Sequence, residues 1–175
     1  MPPAKKTAIA KVPAKKSASS AKPAARKAAA QPDAMALLKA DHRRVAGLFE
    51  DFEKAGTKAR KASIVAEICK ELTVHAQIEE EIFYPAVKSA LKDHELVPEA
   101  TVEHASIKDL IAAVQDKTPD GEMYDARVQV MSEYVKHHVK EEEKEMFAKV
   151  RKTDLDLKAL GEQMAARKEE LMATA

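Results

Sequence analysis

From residue 34 onward, apolar side chains recur every three or four positions, the period of an amphipathic helix. The first stripe reads Leu38, Asp41 or His42, Val45, Leu48 or Phe49, and Phe52. Asp33 stands where an N-cap belongs and Ala55-Gly56 where a helix ends, which predicts roughly twenty helical residues. Thr57 caps a second helix with the stripe Ile64, Ile68, Leu72, His75, Glu79 and Ile82 or Phe83. Pro85 ends or kinks it, and the piece beyond runs to Leu91. Pro98 suits the first turn of a third helix, with Thr101, His104, Ile107 or Lys108, Ile111 and Val114 on one face. Thr118-Pro119-Asp120-Gly121 is a turn. The fourth stripe follows: Val128, Met131, Val135, His138, Glu142, Met146 and Val150. Thr153 with Asp156 resembles a capping box for a shorter fifth helix, whose stripe is Leu157, Leu160, Met164 and Leu171. Without a histidine or an inward carboxylate, this last helix reads as a lid or brace.

No long alternation of apolar and polar residues predicts a strand. Alanine, lysine, glutamate, leucine and methionine dominate, all good helix formers. The expected fold is all-α: an up-down-up-down four-helix bundle over 34–152, with a C-terminal helix over 153–175 packed on or near it.

Charge divides the chain. Residues 1–34 carry eight basic residues against Asp33, a net +7, which leaves −6 for the remainder. This Lys/Ala/Pro-rich stretch has only Ile9 and Val12 to bury after Met1, and five prolines interrupt it. Residues 1–33 are therefore expected to be a disordered basic tail. Its composition resembles the tails of linker histones and some bacterial nucleoid proteins, and suggests non-specific DNA contact, with a purely solubilising role as the alternative. No apolar run is long enough to span a bilayer, and no apolar segment follows the basic N-terminus as in a secretory signal. The expected compartment is the cytoplasm, with nucleoid association through the tail. A lone cysteine, Cys69, excludes an intramolecular disulfide and falls on an apolar stripe, so it reads as a small core residue.

The chemistry sits on the stripes. Each of the four bundle helices places one histidine there: His42, His75, His104 and His138. His75 is followed by Glu79, and His138 by Glu142, four residues on. At about 100° per residue the members of each pair stand one turn apart on one face. The flanks repeat too: His75-Ala-Gln-Ile-Glu79-Glu80 aligns with His138-Val-Lys-Glu-Glu142-Glu143, and an apolar pair follows each. Carboxylates on a core stripe are costly to bury without compensating charge. Two carboxylates and four imidazoles converging in one bundle therefore imply cations, and this donor set suits iron, manganese or zinc. His137, about 100° from His138, faces a neighbour or solvent, and His94 sits in an exposed turn. Glu80, Glu81, Glu141 and Glu143 read as a solvated face, with Glu80 and Glu103 as the best spare ligands.

Over residues 34–150 the chain resembles the hemerythrin-like, HHE cation-binding family. The matching segments are Asp41-His42, His75-x-x-x-Glu79-Glu80-x-x-Phe83-Tyr84-Pro85, Glu103-His104 and His138-x-x-x-Glu142-Glu143. The resemblance implies an antiparallel bundle around two non-heme iron ions, oxo- or hydroxo-bridged. His42 and His75 would cap one iron, His104 and His138 the other, and Glu79 and Glu142 would bridge them. Oxygen-carrying members have a further histidine one turn past the first on the third helix, where this chain has Lys108. The resemblance thus points away from simple oxygen carriage. It favours handling or sensing of iron or of small oxidants: oxygen, peroxide or nitric oxide. A catalase-like or oxidase-like di-iron enzyme is the alternative, as is an iron domain tethered to nucleic acid.

Overall fold

The computed structural model describes residues 32–92 and 95–174. The expectations for the tail up to residue 31 and for His94 lie outside these residues. The described chain is all-helical, as the periodicity predicts.

Helix α1 spans Ala34–Lys54 and is capped by Asp33, whose Oδ1 accepts from the Ala36 N–H at 2.8 Å. Helix α2, Lys58–Ile78, is capped by Thr57, whose hydroxyl accepts from the Arg60 N–H at 3.2 Å. It continues through one wide π-turn, Glu79–Phe83, into α3, Tyr84–Leu91. Pro85 therefore does not end the helix. It falls at the start of α3, where a missing N–H costs little. Lys92, in the left-handed region at φ 51°, closes that arm. Helix α4 covers Leu96–Val114. Gly121, at φ 153°, precedes α5, Glu122–Glu141, in a conformation that favours glycine. A second π-turn, Glu142–Met146, leads into α6, Phe147–Val150, and α7 closes the described chain at Leu157–Thr174. The cap of α7 differs from expectation. Asp156 Oδ1 accepts from the Ala159 N–H at 3.0 Å, so Asp156 is the capping residue and Thr153 lies in the turn before it.

The arms form a square: α1 packs on α2 and α5, and α4 on α5 and α2. The end of α1 (Leu48, Phe52) meets the start of α2 (Ile64, Ile68), the end of α4 (Ile111) and the start of α5 (Val128, Met131) in one apolar cluster. The start of α1 (Leu38) meets Ile78, Phe83, Val97, Met146 and Phe147 in a second cluster at the other end. This pairing of starts with ends is the up-down-up-down arrangement. Full burial of a side chain such as Phe83 stabilises by about 1.5–3 kcal/mol. Helix α7 lies across α1, α2 and the first π-turn. Gly161 lets it approach closely, since a Cβ there would stand 2.5 Å from the Pro32 carbonyl oxygen. Between the two apolar clusters is a layer of buried polar residues.

Candidate metal centre

All six predicted site residues lie in that layer. Glu79 is fully buried, and His42, His75, His104, His138 and Glu142 are buried. Their ligand atoms form two groups, each drawn together within 4.8 Å: His42, His75, Glu79 and Glu142 in one, and Glu79, His104 and His138 in the other. Glu79 belongs to both groups. Its Oε2 stands 3.2 Å from His75 Nε2 and 3.3 Å from His104 Nε2. Glu142 Oε2 stands 3.2 Å from His42 Nε2.

Several of these contacts are close without being hydrogen bonds. His42 Nε2, His75 Nε2, Glu79 Oε1 and both Glu142 oxygens are buried with no hydrogen-bond partner. Buried polar atoms are nearly always paired. Five of them facing one another in one layer are donors aimed at something other than each other, and nitrogen and oxygen donors of this kind suit a borderline divalent or trivalent cation.

Both carboxylates occupy the first position of a π-turn. The Tyr84 N–H bonds back to the Glu79 carbonyl, and the Phe147 N–H to that of Glu142, each five residues away. The extra residue turns the following apolar pair onto the core while the glutamate stays on the histidine face. Single π-turns inside α-helices are frequent at functional sites.

The outer side of each imidazole is also occupied. His42 Nδ1 bonds Glu143 at 2.9 Å, His104 Nδ1 bonds Glu80 at 2.9 Å, and His138 Nδ1 bonds Glu103 at 2.8 Å. His75 Nδ1 stands 3.5 Å from Asp41 Oδ2. A proton on Nδ1 leaves the Nε2 lone pair facing inward, the tautomer a metal ligand needs. Each outer carboxylate has a cationic or imidazole partner in turn. Lys39 pairs with Glu143 at 3.5 Å, Lys108 with Glu80 at 2.6 Å, Lys168 with Asp41, and His137 with Glu103 at 3.3 Å.

These contacts revise three readings of the sequence. Glu80 and Glu103 face the Nδ1 side of imidazoles, away from the centre, so they are positioning groups here rather than spare ligands. Glu143 is no mere solvated acid, because it holds His42. Helix α7 does reach the site: Lys168 bonds Asp41, so the fifth helix is more than a brace. Tyr84 was missed as well. Its hydroxyl lies 3.2 Å from His104 Nε2 and 3.5 Å from Glu79 Oε2.

Electrostatics mark the layer as short of cations. Burial lowers the His75 pKa, but the Glu79 charge and the contacts to Asp41 and Glu79 outweigh it and raise it to about 10. Burial raises that of Glu79, yet His75 and His104 pull it well below its ordinary value. Burial and then the neighbouring Glu79 charge push Glu142 upward. Burial, followed by the surrounding carboxylates, keeps the Tyr84 phenol protonated far above its normal range. Protons hold the positions that cations would compete for. Cys69 plays no part: it is buried, and burial raises its thiol to about 11.

Two openings meet the layer on different sides. One is an apolar pocket of about 20 Å³ between Val45, Leu72, Ile107, Ile111, Val135 and Val139, which touches all four histidines. The other is a crevice of about 10 Å³ where Glu99, Glu103, Glu141 and Glu142 meet Leu96, Ala100 and Met146. No helix among the described residues is long and apolar enough to cross a membrane.

Comparison with known proteins agrees with this geometry. The family model described as Hemerythrin HHE cation binding domain matches residues 33–150. A crystal structure of a hemerythrin HHE cation binding domain-containing protein from Mycobacterium kansasii superposes with a TM-score of 0.69 at 28% identity, over 82% of this chain and 89% of that one. An uncharacterized protein of Mycobacterium tuberculosis is 28% identical over 143 residues, 79% of this chain and 87% of its own. A DNA nickase of a Nostoc species is 29% identical over 115 residues, 66% of this chain, which thus spans about a third (32%) of that relative's length.

Proposed function

The chain belongs to the hemerythrin HHE cation-binding domain family, and from that premise we propose that it is a non-heme di-iron protein that handles or senses small oxidants or iron. The observation that carries this reading is the convergence of buried imidazole and carboxylate atoms into two groups that share Glu79, the first of them rich in atoms without hydrogen-bond partners and the second closed by His104 Nε2 facing His138 Nε2 at 3.2 Å. His42, His75 and Glu142 with Glu79 would hold one ion, and His104 and His138 with Glu79 the other. Bound there, a pair of iron ions supplies electron exchange with oxygen, peroxide or nitric oxide.

The chain's own residues limit what reaches the centre. The pocket that meets the four histidines is small, about 20 Å³, and its wall is mostly apolar, so it suits a small molecule. Tyr84 keeps a hydroxyl within reach of Glu79 and His104, where it can donate a hydrogen bond. Lys108 lies half exposed on Glu80, so it neither ligates nor fills the centre as a further histidine would. With one histidine fewer than an oxygen carrier, the residues present would leave room for a ligand on bound ions, which supports reactive or sensory iron over reversible carriage.

Anaerobic reconstitution with Fe(II) tests this. Two ions per chain are expected, with near-ultraviolet absorption growing in on exposure to air, both lost in His75→Ala. Failure to bind iron under saturating Fe(II) would sink the reading. A catalytic variant, in which two peroxides become two waters and one oxygen molecule, predicts oxygen release over many turnovers; a single stoichiometric oxidation favours a sensor or iron handler.

The net +7 of residues 1–34 supports a second element of the proposal, a non-specific DNA contact by residues 1–33. Full neutralisation of its eight basic residues by phosphates would give a log–log salt slope of at most about −7. Unchanged DNA affinity after deletion of residues 1–33 would remove this element and leave the metal reading intact.

A further inference from the structure

Three of the four imidazoles are backed by a carboxylate that is closed off by a lysine: Lys39 on Glu143, Lys168 on Asp41, Lys108 on Glu80. The fourth is different. Glu103, behind His138, meets His137 of α5, and His137 also contacts Glu141 one turn further on. His137 is 59% exposed, and the ligand atoms of Glu103, His137 and Glu141 lie within 4.8 Å of one another.

We propose that Glu103, His137 and Glu141 form an outer site for a divalent first-row metal ion, and that the buried centre is loaded from it. The inference rests on the di-metal reading above and goes beyond it by assigning an entry site.

Three observations carry it. First, a pair of residues four apart on one exposed helix would account for His137 and Glu141, but not for Glu103, which comes from α4 and splits its oxygens. Oε1 faces the exposed His137 at 3.3 Å, and Oε2 the buried His138 at 2.8 Å. One carboxylate thus spans the surface cluster and a ligand of the inner centre. Second, Glu103 and Glu141 line a narrow crevice that Glu142 also lines, its carboxylates set in a wall of Leu96, Ala100 and Met146. Glu142 is only 2% exposed, and neither of its oxygens has a hydrogen-bond partner, so the inner end of this route is an unpaired buried carboxylate. Third, the donor set fits. One imidazole and two carboxylates suit a first-row divalent ion, with water completing the shell. Where the other three outer carboxylates carry an ammonium group, this one faces an imidazole nitrogen and a second acid.

The route also solves a physical problem. A hydrated divalent ion sheds its waters reluctantly, and a buried layer gives it no replacement until it arrives. Oxygen ligands supplied in sequence, by Glu141, then Glu103, then Glu142, exchange waters one at a time.

The test uses the metal-free full-length protein with Co²⁺, followed by stopped-flow visible absorbance at limiting metal, together with Mn²⁺ paramagnetic resonance to count weak surface ions. The double variant His137→Ala/Glu141→Gln alters no inner residue. It is expected to fill the inner centre to the same final extent but about tenfold more slowly, the size of a lost local ion concentration. It also binds one weak Mn²⁺ fewer than wild type. Glu133→Gln, which removes the same charge nearby on α5, keeps the wild-type rate. An unchanged loading rate in the double variant overturns the proposal, as does an equal slowing in Glu133→Gln, which would assign the effect to general surface charge. Absence of inner-centre metal in both proteins would instead overturn the di-metal reading, while the one-ion difference in Mn²⁺ still scores the outer site.

Discussion

Glu79 and Glu142 hold the same place in two copies of one motif, each four residues after a histidine and each opening a π-turn. Their surroundings are not the same. Glu79 lies against two imidazoles from different helices and a tyrosine hydroxyl, and is held ionised. Glu142 has its nearest imidazole in His42, at 3.2 Å, and burial with the neighbouring Glu79 charge pushes it toward the neutral form. The residues nine places after each histidine differ as well. Tyr84 brings its hydroxyl to Glu79 and His104, whereas Phe147 lays its ring parallel to His42 with centroids 6.3 Å apart. A symmetric motif has been made into a centre with a shared carboxylate on one side and an uncommitted one on the other.

The largest effect that separates the halves is expected from the glutamates themselves. Glu79→Gln removes a group common to both clusters, so equilibrium dialysis should find neither ion tightly held. Glu142→Gln should leave the ion at His104 and His138. In the metal-free protein the signs oppose. Glu79→Gln leaves a buried His75 cation without its counter-charge and costs roughly 3–5 kcal/mol in chemical denaturation. Glu142→Gln removes a carboxylate that the fold disfavours in its charged form, so the melting temperature at neutral pH rises.

The dependence on pH sharpens the same contrast. His75 has its folded value raised from 6.5 to about 10. Its contribution to metal-free stability is therefore complete below pH 6.5 and is lost as pH rises toward 10. Glu79, depressed from 4.5, contributes above pH 4.5 and loses its contribution as pH falls below that. Melting in the presence of a chelator should thus decline on the alkaline side between pH 6.5 and 10. Metal binding should strengthen over the same interval and release a proton, seen in buffers of different ionisation heat. A metal-free melting temperature that climbs through that interval would contradict the sign.

Smaller effects probe the outer supports. Lys168→Ala withdraws the α7 cation from Asp41 behind His75, on the Glu79 side, and Lys39→Ala does the same for Glu143 behind His42. Each should weaken metal binding by about tenfold, the lower end for such supporting partners. The Lys168 change should be the greater, because the Lys168–Asp41 pair is more buried than the Lys39–Glu143 pair. The smallest change, Tyr84→Phe, makes the two motifs chemically alike at that position. It should cost about 1 kcal/mol of stability, as for one buried hydrogen bond, and slow oxidation by peroxide without lowering metal content.

Much of this was legible before any coordinates. The apolar stripes located all five helices and put His42, His75, Glu79, His104, His138 and Glu142 on inward faces, because a helical period and a burial cost are local properties. What was not legible depends on register between helices. Nothing in the order of residues says that Glu143 of one arm will meet His42 of another, or that Lys168, on a helix whose docking face was unknown, will meet Asp41. The π-turns were hidden for a different reason: a five-residue hydrogen-bond step has no residue preference of its own, and only the repeated Glu-Glu followed by an apolar pair marks both places. Asp156 was legible as part of a cap, and its exact role was not, since helix starts shift by a residue or two without changing the stripe.

The central claim is that the polar layer holds two metal ions through a shared Glu79. Metal analysis of protein prepared without oxygen and loaded with Fe(II), set beside Glu79→Gln and Glu142→Gln, addresses it most directly. Two ions per chain are expected in the wild type, none tightly held in Glu79→Gln and one in Glu142→Gln. Equal losses in the two variants would contradict the shared role of Glu79, and a wild-type chain that takes up no metal would contradict the centre itself.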